Sequence, residues 1–359
     1  MHWLLKFAAL VFFSLTMGAG LAGSAAAATV EEIANLTSPD RQAILEAGAR
    51  QEGAVTMIGG LSQEMRGELL DAFMKAYPFI KAEGQRFGSA ATLQRVLAEQ
   101  RSKAVRTDLV VSSIVVELKQ AGVVRPFRSP ILESFPADLQ EPDHLYGSYR
   151  LAYHGIAYNT KLVSEAEAPK SYEDLLDPKW KGRMVWNDSA STGAPLLILY
   201  LRKTWGEERT VDYLRALAKQ AIVTRPSSLR NVLDLLIAGE HAVMLNAALH
   251  HVAASRAKGA PVNATMPEPV LARNNYVLLL KDAPHPHAAM LLIDFLMGET
   301  AQRLMSQEQY YPVNPAVPPL DTMIPFDPVR QNKKVLMVDD DLLFQEKARS
   351  TALFKQYFR

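Results

Sequence analysis

Short apolar runs alternate with amphipathic stretches along the first third of the chain. Residues 54–58 predict a short buried strand, and residues 80–87 and 107–112 predict two more strands. Residues 64–77 carry apolar side chains on one helical stripe. Strands that alternate with helices predict parallel pairing with right-handed crossovers. The pattern therefore indicates an α/β fold.

The same alternation continues through the rest of the chain. Four further strands are predicted at residues 151–159, 184–186, 242–245 and 275–280. Residues 287–307 predict one long amphipathic helix, and a last helix is predicted to begin near Asp341, after an acidic run at residues 339–341 that we expect to be solvated. A chain of this length exceeds the size at which one core usually divides, so two lobes are expected.

Small polar loops follow several of the predicted strands. Five of these loop residues stand where a ligand would bind: Gly60, Ser62, Ser89, Ser112 and Ser113. In open α/β sheets, ligands bind outside the carboxyl ends of the strands, where helix N-termini offer free N–H groups to an anion. Ser89 is also placed to cap a helix over residues 90–103.

The N-terminus has the pattern of a secretory signal peptide. Lys6 supplies a positive charge, residues 7–17 form an apolar segment, and residues 26–28 are three alanines. The apolar segment is shorter than the roughly 20 residues of a membrane span. We expect cleavage after Ala28 and export of the mature chain to the periplasm, without stable insertion in the membrane.

Composition narrows the possible functions. The chain has no cysteine, which excludes disulfides and thiolate metal sites. It has 39 basic and 38 acidic residues, and loss of Lys6 with the signal peptide leaves the mature chain neutral, with no electrostatic footprint for nucleic acid. No serine-hydrolase elbow, zinc-protease motif or phosphate-binding Walker loop is present, so we predict a protein that is not an enzyme and has no cofactor.

The order of the motifs resembles the extracellular solute-binding proteins of ABC importers, in the branch typified by ferric-ion-binding proteins. The resemblance rests on segments spread over the mature chain: Val55–Ser62, Gly88–Ser89, Gly155–Lys161, Pro169–Gly182, Ser191–Ala194 and Tyr311–Asn314. It implies a two-lobed type II periplasmic-binding-protein fold, in which each lobe is a mixed, mostly parallel sheet flanked by helices. It also implies a hinged cleft that closes over a small ligand, and an ABC permease in the inner membrane as partner.

The resemblance divides the chain into a signal peptide and two lobes. We assign residues 1–28 to the signal peptide, residues 29–150 and 268–308 to lobe I, and residues 151–267 and 309–359 to lobe II. The lobes are expected to rotate about strands near residues 149–153 and 266–275. We expect a monomer.

The turn at residues 188–194 is the strongest candidate for ligand contact. Several small or polar residues precede a helix there, more than an ordinary N-cap needs. In ferric-binding relatives a turn of this type holds an anion, and the resemblance carries that role to Ser191, Thr192, Gly193 and Ala194. An ordinary helix cap is the alternative interpretation.

The resemblance does not extend to a ferric site. In iron-binding relatives an Asn near the position of Asn246 precedes two adjacent tyrosines, but here Ala247 and Ala248 follow. The loops after the first and third strands lack the His and Glu that a hard cation would use, so no metal is predicted. His250 and His251 are adjacent on a predicted helix and point about 100° apart, so we expect one packed and one solvated histidine.

Other candidates complete the predicted site. Tyr310 and Tyr311 lie in an extended segment where adjacent side chains point oppositely, so one is expected to line the cleft and the other the core. Three arginines are candidate counter-ions for an acidic ligand: Arg225, Arg230 and Arg273. The full set of predicted ligand-binding residues is Gly60, Ser62, Ser89, Ser112, Ser113, Ser191, Thr192, Gly193, Ala194, Ser227, Asn246, Tyr310 and Tyr311.

These observations predict capture of a small anionic organic solute, such as a phosphorylated, phosphonate or carboxylate compound. Two alternatives stay open. One is a ferric-ion-binding protein with a nonstandard iron site, and the other is a sensor subunit that presents its closed form to a receptor.

Overall fold

The computed structural model describes residues 28–189 and 193–359, apart from the side chain of Asp138. Within these residues eleven strands form one mixed sheet: β1 (Ala54–Gly59), β2 (Lys81–Arg86), β3 (Leu109–Ser112), β4 (Val124–Arg125), β5 (Gly147–Asn159), β6 (Met184–Asn187), β7 (Val223–Arg225), β8 (Val243–Ala248), β9 (Val262–Thr265), β10 (Val270–Leu280) and β11 (Val335–Met337).

Helices cover both halves of the sheet. In chain order they are α1 (Val30–Ala34), α2 (Arg41–Glu52), α3 (Gln63–Ala76), α4 (Ser89–Ser102), α5 (Val115–Gln120), α6 (Pro130–Glu133), α7 (Ala194–Trp205), α8 (Glu207–Ala218), α9 (Leu229–Ala238), α10 (Leu249–Ala257), α11 (Pro286–Met297), α12 (Glu299–Gln307) and α13 (Asp340–Phe358). Short 3₁₀ turns cover Ala137–Leu139, Glu173–Leu176, Pro178–Trp180 and Asp321–Phe326.

Two parallel regions lie at the ends of the sheet. The strand order is β2-β1-β3-β10-β5-β8-β6-β7, with β1 parallel to β2 and β3, and β6 parallel to β7 and β8. The predicted parallel strands with helical crossovers are therefore confirmed at both ends.

The two ends are joined by the antiparallel strands β5 and β10, of 13 and 11 residues. These are long strands for a globular protein, whose strands usually number about five or six residues. Strand β5 also pairs with β8 and β9 on the second half of the molecule, and β10 pairs with β3 and β4 on the first. The pairing of β5 with β10 thus joins the two halves.

Helix α11 lies in the core of the first half. Eight of its 12 residues are buried, which is typical of a helix enclosed on nearly every side. The prediction of one helix over residues 287–307 is wrong, because the helix is interrupted at Gly298. Gly298 has an extended backbone, with φ −74° and ψ 162°, and is the N-cap residue of α12. A Cβ there would lie 3.2 Å from the Asp294 carbonyl oxygen, so the tight turn favours glycine.

The C-terminal helix α13 packs across both halves. Its later turns place Phe354 and Phe358 edge-on against Trp186, with ring centroids 5.7 and 5.3 Å apart. Its first turn pairs Asp340 with Arg273 of β10. Adjacent residues divide between the two cores, since Leu343 belongs to that of the second half and Phe344 packs on that of the first.

No helix in the described part of the chain is both long and apolar enough to span a membrane.

Phe354→Ala should destabilise the protein by about 3 kcal/mol or more, because it leaves a cavity beside Trp186 where the phenyl ring is 2% exposed. Urea denaturation followed by tryptophan fluorescence would measure the change in the free energy of unfolding. Lys355→Ala, at an exposed position one residue along, is the matched control and should shift it by less than about 0.5 kcal/mol. Equal stability of the two variants would contradict the packing described for α13.

Candidate functional site

The ends of the first parallel strands meet at a small cavity. Ser89 begins α4, Ser113 follows β3, and both line a cavity of about 260 Å³ with Arg273 of β10. The sequence placed both serines at a ligand site, and the structure brings them together. The predicted capping role of Ser89 is wrong, because Gly88 occupies the N-cap position and Ser89 is already the first helical residue.

The other predicted residues of this half have local structural roles. Ser62 caps α3, and its hydroxyl accepts a hydrogen bond from the Met65 N–H at 3.1 Å. The Ser112 hydroxyl is buried and accepts from the Ile114 N–H at 3.4 Å. Gly60 is exposed, and its N–H donates to the Val111 carbonyl.

The turn before α7 is fixed by Asn187. Ser191 and Thr192, two of the predicted anion contacts, lie outside the described residues. At Gly193 a Cβ would lie 2.4 Å from the Asn187 side-chain oxygen, so only glycine fits this close approach. Ala194 is the buried first residue of α7. The Asn187 amide also donates to the Ser227 carbonyl at 2.5 Å, which places Ser227 beside the turn.

Asn246 links this turn to the long strand β5. Its side-chain amide donates to the Gly193 carbonyl at 3.3 Å, and its oxygen lies 3.1 Å from Nδ1 of His154. An amide oxygen only accepts, so Nδ1 of His154 carries the proton. Both side chains are buried, so Asn246 holds the start of α7 against the cleft-facing side of β5.

Three histidines near this link are held neutral. Burial, and next the charge of Arg273, lowers the pKa of His154 to about 4. Burial, and next the charge of Arg230, lowers the pKa of His251 to about 3, and burial also holds the pKa of His250 well below its ordinary value. His250 is buried and His251 only partly exposed, with ring centroids 4.1 Å apart. The expectation of one packed and one solvated histidine is therefore wrong for His251.

Arg150 of β5 faces the same group of side chains. Its Nε donates to the Tyr149 hydroxyl at 3.2 Å, and its Nη2 donates to the Asn275 side-chain oxygen at 3.2 Å. The guanidinium lies 4.6 Å from the centroid of the Tyr310 ring, which in turn packs on His250. No carboxylate in the described part of the chain pairs with Arg150. The described side chains that contact its guanidinium, those of Tyr149, Asn275 and Tyr310, are neutral.

The tyrosine pair divides as predicted. Tyr310 is partly exposed and contacts Arg150 and His250. Tyr311 is 2% exposed, and its hydroxyl donates to the Phe326 carbonyl at 2.7 Å. Tyr311 is therefore the core residue of the pair, with its hydroxyl already used, and contact of Tyr310 with a ligand stays a prediction.

Of the three predicted arginine counter-ions, Arg273 alone lies at the cavity. It is 4% exposed, and its Nη2 donates to the Ser113 carbonyl at 3.1 Å and to Asp340 at 3.2 Å. Arg225 is exposed, and Arg230 pairs with Asp234. The expectation that the acidic run is solvated is wrong for Asp340, whose side chain is only 7% exposed and also accepts from the Tyr276 hydroxyl. Burial raises the pKa of that carboxyl in spite of Arg273.

Sequence reasoning missed Arg150 and His154. A signal was present, because the two residues are four apart on a strand and share one face of the sheet. Only the pairing of β5 with β8 and β10 shows that this face lies beside α7 and Arg273.

The described residues contain no group of three or more His, Asp or Glu side chains arranged to hold a metal ion. The histidines at the cleft adjoin arginines and tyrosines instead.

Residues 107–339 match the profile of a family described as bacterial extracellular solute-binding protein. The chain is 27% identical over 214 residues to "Iron uptake protein A1" of Synechocystis sp., a match that covers 56% of this chain and 59% of that protein, which is less than two thirds of its length. It is 25% identical over 266 residues to a "Putative 2-aminoethylphosphonate-binding periplasmic protein" of Salmonella typhi, covering 70% of this chain and 74% of the relative.

The fold is shared with solved periplasmic binding proteins. The structure of the periplasmic binding protein AfuA from Actinobacillus pleuropneumoniae, with fructose-6-phosphate bound, superposes with a TM-score of 0.70. The superposition covers 85% of this chain and 98% of that one at 22% identity. The architecture is accordingly the type II periplasmic-binding-protein fold, as the sequence predicted.

The protein should lose stability as the pH falls from about 6.5 to about 4. The folded pKa of His154 is about 4, below its ordinary value of 6.5, so in this window the unfolded chain binds the proton more tightly and protonation favours unfolding. Above pH 6.5 both states are neutral and the effect ends. His154→Gln should reduce the fall in the free energy of unfolding over this pH range by up to about 3 kcal/mol. Urea unfolding at a series of pH values would measure the change.

Lys258→Gln is the control for this experiment. It removes an exposed charge at the end of α10 without removing a group that titrates in the window. An unchanged pH slope in His154→Gln would contradict the neutral, buried state of this histidine.

Proposed function

We propose that this chain, which belongs to the bacterial extracellular solute-binding proteins and to their ferric-binding-protein-like branch, captures a small organic anion in the cleft between its lobes. The ligand's acidic group would bind beside Arg150 and the N-terminus of α7. Closure of the lobes would then present the loaded protein to an ABC permease.

The unpaired charge of Arg150 is the observation that carries this proposal. A partly buried guanidinium without a carboxylate partner is costly, since burial removes water that would otherwise stabilise the charge. Arg150 has Tyr149, Tyr310 and Asn275 around it, and these supply dipoles but no negative charge. An acidic ligand would supply the missing counter-charge through a bidentate hydrogen bond.

The surroundings of Arg150 favour an anion further. The neutral histidines can donate hydrogen bonds without a charge of their own, and α7 directs its free N–H groups and the positive end of its dipole toward the turn at Gly193. Two of the similar proteins carry names that refer to phosphorus-containing anions, an aminoethylphosphonate and a sugar phosphate. These names support a phosphonate or phosphate ester as the type of ligand.

The long strands β5 and β10 are the proposed hinge. Residues 29–150 and 268–308 would form lobe I, and residues 151–267 and 309–359 would form lobe II, with α13 bridging them. Strand pairs that cross between lobes bend without losing their hydrogen bonds, which suits a rotation of one lobe on the other.

Export and delivery complete the proposal. The signal-peptide pattern of residues 1–28, of which residues 1–27 lie outside the described part, supports a periplasmic protein, which would act as a monomer. Binding would involve no bond chemistry, because the role of the site is to match the charge and hydrogen-bonding groups of the ligand.

Arg150→Gln should weaken the binding of methylphosphonate at least tenfold, since it removes a charge-assisted hydrogen bond worth about 1.5 kcal/mol or more. Isothermal titration calorimetry at low ionic strength would measure the dissociation constants. Arg225→Gln, which removes an exposed arginine on β7, is the matched control and should bind as the original protein does.

Stabilisation by ferric citrate, with no response to phosphonates, phosphate esters or carboxylates, would contradict the organic-anion proposal and favour a nonstandard iron site. Binding of the anions without loss in Arg150→Gln would show that another residue supplies the counter-charge.

Ligand should also bring the two lobes together. Because the chain has no cysteine, dyes can be attached only at introduced sites, such as Arg101→Cys on α4 and Lys219→Cys after α8. Energy transfer between the two dyes should rise with methylphosphonate at the concentration that calorimetry gives for binding. The control pair, Lys219→Cys and Lys258→Cys, lies within proposed lobe II and should not respond. A saturated ligand site with no change in the first pair would contradict lobe closure.

A further inference from the structure

The cavity beside Arg273 has a wall that a purely ionic ligand would not use. Its apolar side chains come from three elements of the fold: Leu93 of α4, Ile114 and Val116 at the start of α5, and Leu343 and Phe344 of α13. The cavity measures about 260 Å³, slightly below the usual range of roughly 300–1,000 Å³ for ligand cavities. It would hold one short alkyl or aryl group.

Polar groups also line this cavity. Ser89 and Ser113 contribute hydroxyls, and Arg273 contributes its guanidinium. The two carboxylates in the lining are paired, because Asp340 accepts from Arg273 at 3.2 Å and Glu117 lies 3.7 Å from the Lys347 ammonium. The lining therefore carries no excess negative charge that would repel an acidic ligand.

Helix α13 holds its part of the wall from the opposite half of the molecule. Glu346 accepts a hydrogen bond from Arg202 of α7 at 2.8 Å, and Arg349 pairs with Glu207 of α8 at 2.7 Å. Leu343 packs in the core of the same half. Since Ser89 and Ser113 belong to the other half, the cavity lies between elements of the two proposed lobes.

Arg273 connects this cavity to the proposed anion site. Its guanidinium lines the cavity, and its charge is one of the causes that lower the pKa of His154, whose ring is hydrogen-bonded to Asn246. On β10, Arg273 is two residues from Asn275, which binds Arg150. Arg273 is therefore a neighbour of both the cavity and the proposed anion site.

We propose that the cavity holds the apolar part of the acidic ligand and that Phe344 of the C-terminal helix packs against it. This inference rests on the proposed function and narrows it to organic acids with a short alkyl or aryl group. A bare phosphate or a ferric ion would leave the wall of Leu93, Ile114 and Phe344 unused. The C-terminal helix is then a determinant of specificity as well as a bridge between the lobes.

The test compares phosphonates that differ only in the apolar group. Calorimetry with methylphosphonate and butylphosphonate would measure both dissociation constants in the original protein, in Phe344→Ala and in Phe344→Leu. Butylphosphonate should bind the original protein at least tenfold more tightly, since each buried CH₂ contributes about 0.8 kcal/mol. In Phe344→Ala this ratio should fall below about threefold, and Phe344→Leu should give an intermediate value.

Gln345→Ala is the matched control, because Gln345 is the exposed neighbour of Phe344 and does not line the cavity. It should keep the original ratio. Circular dichroism melting would identify any variant that fails to fold. If Phe344→Ala does not fold, the original protein is compared with Phe344→Leu instead.

Two failures can be told apart. If both phosphonates bind the original protein equally and the Phe344 variants keep that affinity, the proposed function stands and the assignment of the cavity is wrong. If neither phosphonate binds and no other organic acid does, the proposed function itself is wrong.

Discussion

The pairing of β5 with β10 is the constraint on which the rest of the structure depends. These two strands are the only long antiparallel pair between the two parallel ends of the described sheet, and their pairing joins the two halves. They also carry the charged and polar side chains of the site: Arg150, His154, Arg273 and Asn275. A residue on a paired strand is held more rigidly than one on a loop, so the proposed hinge and the proposed binding groups share one framework.

The two arginines on these strands, Arg150 and Arg273, differ in whether a carboxylate balances their charge. Arg273 is paired with Asp340, a carboxylate 67 residues away that α13 places against β10. Arg150 has no such partner in the described residues and lies among tyrosines, an asparagine and neutral histidines. Burial holds those histidines uncharged, which keeps further positive charge out of the cleft at neutral pH. The described residues therefore contain one guanidinium at the cavity that is paired with a carboxylate, and a second, that of Arg150, which is not.

Much of the fold could be predicted from local sequence, because apolar runs of strand length and amphipathic stretches of helical period follow from burial on one face. Gly298 shows a limit, since the apolar period continues through it while the close approach of the Asp294 carbonyl ends the helix. The meeting of Ser89 and Ser113 at one cavity was predictable because polar loops follow strands, and their contact with a ligand stays a prediction. Arg150 and Asp340 were not, because their roles come from pairings with strands and helices distant in sequence, such as Asp340 with Arg273. The role of a polar residue in a buried strand, or of an acidic run near the C-terminus, can be assigned only once the fold shows which residues it contacts.

The most direct test of this account is a crystal structure of the protein with butylphosphonate bound. We expect the phosphonate oxygens to lie within about 3 Å of the Arg150 guanidinium and the butyl group to pack against Phe344. An ordered phosphonate in the cleft that contacts neither Arg150 nor the apolar wall would contradict it.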